Sequence, residues 1–117
     1  MNPEPENGIA VFITAANTDE ARRLAEMLVE SRLAACVQIL PGIESIYRWQ
    51  GRIERQEEVL LIAKSERSRF NELEKEVRTI HSYEMPEIVA ISLVDGSRPY
   101  LDWLSESLGS GEKRGSV

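Results

Sequence analysis

The chain contains one histidine, in the octet His81-Ser82-Tyr83-Glu84-Met85-Pro86-Glu87-Ile88. An imidazole titrates near neutral pH and binds metals, so its neighbours decide what it does. A metal site needs deprotonated N, S or O donors at about 2.0–2.3 Å from the ion. The candidate donors are the His81 imidazole, the Cys36 thiolate and the Glu84 carboxylate, a set that suits a divalent ion, copper or zinc above others. No Cys-x-x-Cys or His-x-x-x-His spacing holds them, so they must converge through the fold or across subunits. The plainer alternatives are a His81 that meets the last carbonyls of a helix and a Cys36 that is a small core residue of an apolar strand. An enzyme would use Cys36 as nucleophile and His81 as base, oriented by Glu84 or Tyr83. No glycine-rich oxyanion or phosphate loop accompanies them, and the expectation is a protein without catalysis.

A second constellation comprises Tyr47, Trp49, Tyr83, Tyr100 and Trp103. Rings with a polar tip suit interfaces, where the face is buried and the tip hydrogen-bonds. Trp49 falls near a hairpin tip and makes sense inserted into a neighbour. Glu58 and Lys64 lie six apart on one strand, hence on one face, where they either pair or line a cleft.

The elements that position these residues are read from periodicity. Residues 9–15 are a short apolar run, a buried strand. Asn17 with Glu20 three residues on starts a helix, and Ala21, Leu24, Ala25 and Leu28 form its apolar stripe. Residues 35–40 and 43–49 read as one extended segment, with Pro41-Gly42 as a bulge. Gly51 sits in a tight hairpin turn, and the strand returns through 59–64. Ser65 is the expected cap of a helix over 66–81, with Phe70, Leu73, Val77 and Ile80 as its stripe. Pro86 stops the helix, strand 87–94 follows, and Pro99 opens a last helix over 100–108. The order β-α-β-β-α-β plus a terminal helix gives an α+β, ferredoxin-like sandwich of one domain over residues 8–108. Residues 1–7 and 109–117 read as flexible tails. The middle strands carry more apolar surface than two helices on one face can cover, so association through the sheets is expected.

Composition narrows the function. The net charge is −6 over 117 residues, and 11 of the 14 basic residues are Arg that alternate with Glu without forming a stripe. Nucleic-acid binding is therefore not expected. No run reaches membrane-spanning length, one cysteine makes no internal disulfide, and the cytoplasm is the expected compartment.

Across residues 9–108 the chain resembles the CutA family of divalent-cation tolerance proteins. The resemblance rests on Ala34-Ala35-Cys36, Pro41-Gly42, Ser45-Ile46-Tyr47-Arg48-Trp49-Gln50-Gly51, Glu58, Lys64, residues 81–87 and Tyr100-Leu101-Asp102-Trp103. It implies a fold similar to the PII nitrogen-signalling proteins, a homotrimer with interlocked hairpins, and a role in tolerance of divalent metals, copper foremost. The other reading it admits is a PII-like sensor of a small molecule that signals through a partner. Two departures stand out. Ser82 occupies the place where the family usually has Pro after the histidine, and Ile13 and Ile80 offer no donor where some relatives carry Cys or His.

Overall fold

A computed structural model describes residues 7–109. Residues 1–6 and 110–117, which hold most of the two expected tails, lie outside the described residues. The elements are β1 (Gly8–Ala15), α1 (Thr18–Glu30), β2 (Cys36–Trp49), β3 (Arg52–Glu66), a 3-10 turn (Arg67–Arg69), α2 (Phe70–Ile80), β4 (Ile88–Ser92) and α3 (Arg98–Ser107). The fold is α+β. The four strands form one sheet in the order β2-β3-β1-β4, every neighbouring pair antiparallel.

Strand alternation divides the sheet into two unlike faces. On one side Ile9, Val11, Ile13 and Ala15 of β1 and Val59, Leu61 and Ala63 of β3 are buried, packed with Leu24 and Leu28 of α1 and Leu73 and Val77 of α2. On the other side Ala10 is buried, but the remaining apolar residues are only half-buried or exposed. Val89 and Ile91 pair with Phe12 and Ala10 of β1, and both are about half exposed, as is Leu40 across the sheet. Lys64 leaves β3 on this second face, and its ammonium stands 5.7 Å from the Tyr100 ring centroid. That contact brings α3 to the end of the second face, where it buries Leu101, Leu104 and Leu108.

Local chemistry sets the element ends. The Asn17 side chain accepts from the Glu20 amide at 2.8 Å, as its capping role requires. Glu20 does not return the bond to Asn17; its carboxylate accepts from the Ala16 amide at 2.9 Å instead. Pro41-Gly42 is the expected bulge, with a register shift between Leu40 and Ile43 and Gly42 at φ +79°. Gln50 (φ +52°) and Gly51 (φ +80°) make a two-residue turn of the left-handed kind that matches strand twist.

Four expectations on boundaries fail, for identifiable reasons. Ser65 is no helix cap. The pairing of β3 with β1 continues to Glu66 opposite Gly8, which buries Ser65 in the strand with its hydroxyl donating to the Leu33 carbonyl at 2.7 Å. The second helix therefore starts at Phe70, not at residue 66. Ile80 is 46% exposed and leaves the stripe at the helix end. Strand 87–94 shortens to Ile88–Ser92 because β1 offers it partners only from Ile9 to Ile13.

β2 and β3 run 14 and 15 residues, well beyond the usual strand length of about 5–6. Beyond Val59 they lose β1 as a neighbour and continue as a bare two-stranded arm. Ile46 and Ile53 are exposed on one side of that arm, Tyr47 and Trp49 on the other.

Candidate functional site: an acidic and aromatic cleft beneath the hairpin arm

The segment after α2 folds back under the arm and borders an open cleft of about 570 Å³. Its wall on the arm side carries Tyr47, Trp49, Gln56 and Glu58, and its other wall Tyr83, Glu84, Met85 and Glu87. By register, Tyr47, Gln56 and Glu58 project from the second sheet face, the one with the uncovered apolar residues.

One chain of hydrogen bonds runs through the cleft. The Tyr47 hydroxyl donates to Gln56 Oε1 at 2.7 Å, and Gln56 Nε2 donates to the Tyr83 oxygen at 3.1 Å. The Tyr83 hydroxyl in turn donates to Glu58 Oε2 at 2.6 Å. Glu58 is buried, and the bond to a carboxylate is of the short, charge-assisted kind. Burial pushes the Tyr83 phenol above its ordinary range, and the Glu58 carboxylate beside it pushes the same way. Tyr83 is thus a fixed neutral donor at any physiological pH.

His81 is held differently. Its Nε2 lies 2.7 Å from the Thr14 carbonyl of β1, so that nitrogen carries the proton. Its Nδ1 accepts from the Tyr83 amide at 3.0 Å. The tautomer follows from these two partners. Both ring nitrogens are occupied inside one chain, and the residue acts as a strut between the end of α2 and β1. It does not meet the last carbonyls of its own helix with its ring. Glu20 braces the same junction from α1, accepting from the Ser82 amide at 2.6 Å and the Ser82 hydroxyl at 3.1 Å. Burial alone raises its carboxyl pKa, but the amides of Ala16 and Ser82 and the Ser82 hydroxyl lead the groups that outweigh it and leave Glu20 below its ordinary value. A proline after His81 would lack both the amide and the hydroxyl of Ser82. Ser82 therefore has an observable partner in Glu20.

The other expected site residues are distributed over the fold. Cys36, partly buried, pairs with Lys64, which pairs with Ala10. His81 reaches Thr14, four residues further along β1. Within one chain Cys36 and His81 are thus separated by about 13 Å along the strands, plus two strand spacings. They are neither a catalytic pair nor a common ligand set in the single chain. Glu84 lines the cleft without His81 beside it in the lining. Among the described residues no group of three or more His, Cys, Asp or Glu is gathered as a metal site. Glu58 and Lys64 share a face but do not pair, since Glu58 meets Tyr83 and Lys64 meets Tyr100. Tyr100 and Trp103 meet as tilted rings with centroids 5.4 Å apart on α3, outside the cleft lining.

Fold and site together define a small α+β domain with a cleft of ligand size beneath its hairpin arm. The model of the CutA1 divalent ion tolerance protein family matches residues 9–107, and the chain belongs to that family. It is 48% identical over 99 residues to the divalent-cation tolerance protein CutA of Thermus thermophilus, covering 85% of this chain and 96% of that protein. The solved Thermus structure superposes with a TM-score of 0.84 at 47% identity, covering 86% of this chain and 97% of that one. The chloroplastic CutA of Arabidopsis thaliana is 41% identical over 85% of this chain, which spans only 54% of that longer protein. A structure from Archaeoglobus fulgidus, described as a periplasmic divalent cation tolerance protein, has a TM-score of 0.84 at 40% identity, covering 86% of this chain and 98% of that one. No helix among the described residues is long and apolar enough to cross a membrane.

Proposed function

We propose that this protein serves divalent-cation tolerance as a cation-binding homotrimer without catalytic chemistry, and that the cleft beneath the hairpin arm is its binding site. The observation that carries the reading is the charge of the lining. Glu58, Glu84 and Glu87 contribute carboxylates, and no Lys, Arg or His is among the lining residues. A concave surface of one sign concentrates counter-ions. The exposed Glu84 and Glu87 are the residues that would hold a divalent ion, with copper the first ion to test. Two carboxylates are a sparse ligand set, so water or a neighbouring subunit completes it. The same acidity argues against the PII-like alternative in its anion-binding form.

The trimer rests on two features besides the family. An isolated two-stranded arm is marginal in water, and apolar residues stand uncovered on the second sheet face and on the side of the arm that carries Ile46 and Ile53. Because the cleft opens on that sheet face, pairing of the ferredoxin-like sheets would set it beside a neighbouring subunit. The lone cysteine suits a reducing compartment such as the cytoplasm. Calorimetric titration with Cu²⁺ tests the site. Glu84→Gln with Glu87→Gln should weaken binding at least about tenfold, the loss expected when charge-assisted ligands become neutral. Undiminished affinity in that double variant overturns the assignment.

A further inference from the structure

The cleft is far roomier than a bare ion needs and falls in the range of small-molecule sites, about 300–1,000 Å³. Its lining is also more than acidic: Tyr47, Trp49 and Tyr83 contribute aromatic rings and Met85 a thioether. We infer that the cleft binds an organic ammonium ion, of the class of short protonated alkyl diamines. This rests on the reading of the cleft as a cation site and specifies the ligand that its shape and walls fit best.

Three features converge on that class. The phenol donors are already spent, Tyr47 on Gln56 and Tyr83 on Glu58, and the Tyr83 oxygen also accepts from Gln56, so Tyr47 offers a ligand its oxygen lone pairs and ring face and Tyr83 its ring face. A ligand that brings its own N–H donors and positive charge complements them, and a ligand rich in acceptors does not. Ring faces attract ammonium groups, Trp most strongly, and the methylene stem of a diamine can lie along the rings and Met85. The carboxylates are also graded in depth. Glu58 is buried, whereas Glu84 and Glu87 are exposed. A dication can place one ammonium at the inner carboxylate and the other at the outer pair.

The test uses the full chain, 1,4-diaminobutane as probe and 1,4-butanediol as its neutral counterpart, followed by calorimetry and by tryptophan fluorescence. Saturable binding of the diamine and none of the diol at equal concentration is the expected result. Trp49→Leu should weaken the diamine by about fivefold or more, because the organic ligand uses the ring. Equal binding of diamine and diol, or no saturable diamine binding, overturns the inference and needs no variant. Diamine binding unaffected by Trp49→Leu overturns it as well. Diamine binding without copper binding keeps this inference and removes the metal reading, and the reverse result removes only this inference.

Discussion

Replacing Tyr83 by Phe removes one oxygen atom and, with it, the donor that satisfies the buried Glu58 carboxylate at 2.6 Å. The ring itself stays. A neutral hydrogen bond contributes about 0.5–1.5 kcal/mol, one to a charged group about 1.5–3 kcal/mol, and an orphaned buried acceptor puts the cost at the upper end. Tyr83→Phe should therefore destabilise the protein by roughly 2–3 kcal/mol. Tyr47→Phe removes a neutral bond at an exposed site and should cost less than about 1 kcal/mol. Urea unfolding at a fixed protein concentration measures both, and the fixed concentration matters because subunit association contributes to apparent stability. A double-mutant cycle with Glu58→Gln isolates the pair: once the carboxylate is neutral, Tyr83→Phe should lose at least half of its effect. Equal small costs for Tyr83→Phe and Tyr47→Phe, or a cycle with no coupling, would refute the view that the chain of hydrogen bonds is anchored on a buried charge.

Two further outcomes follow from the junction and from the register of β2. The folded pKa of Glu20 lies below its ordinary value of 4.5, so its contribution is complete above about that pH and is lost as pH falls through the depressed folded value. Glu20→Gln should therefore destabilise the protein near neutrality, and its deficit against wild type should shrink in acid unfolding series below about pH 4.5; a deficit independent of pH contradicts the hydrogen-bonded carboxylate. Cys36→Ala should leave Cu²⁺ affinity within about twofold, because the strand register keeps the thiol from His81 and from the cleft lining; a loss of orders of magnitude in calorimetry would make the thiolate a ligand, supplied between subunits.

The fold was readable from the sequence wherever a local signal coincided with the tertiary one. Asn17 capped its helix, Pro41-Gly42 made its bulge, and Gly51 turned the arm. It was misread where pairing overrode a local preference. Ser65 looks like a cap until β1 is known to extend β3 past it. Of the octet at residues 81–88, the phenol and the two carboxylates line the cleft and the imidazole does not. A histidine used by a carbonyl on one side and an amide on the other looks, in sequence, the same as a free one. Gln56 was missed although it shares a face with Glu58 two residues away, a parity relation visible in the sequence. Glu20 was read only as part of a cap. Its reach to Ser82 joins residues 62 apart, and no local pattern encodes such a contact.

Crystals soaked in a copper(II) salt, with anomalous diffraction recorded at the copper edge, test the central claim most directly. A peak in the cleft against Glu84 and Glu87, with the ring nitrogens of His81 still bonded to Thr14 and Tyr83, is the result expected of an acidic cation-binding cleft. A peak bound to His81 Nδ1 with the Tyr83 amide displaced, or to the Cys36 thiolate, with the cleft vacant, would contradict it.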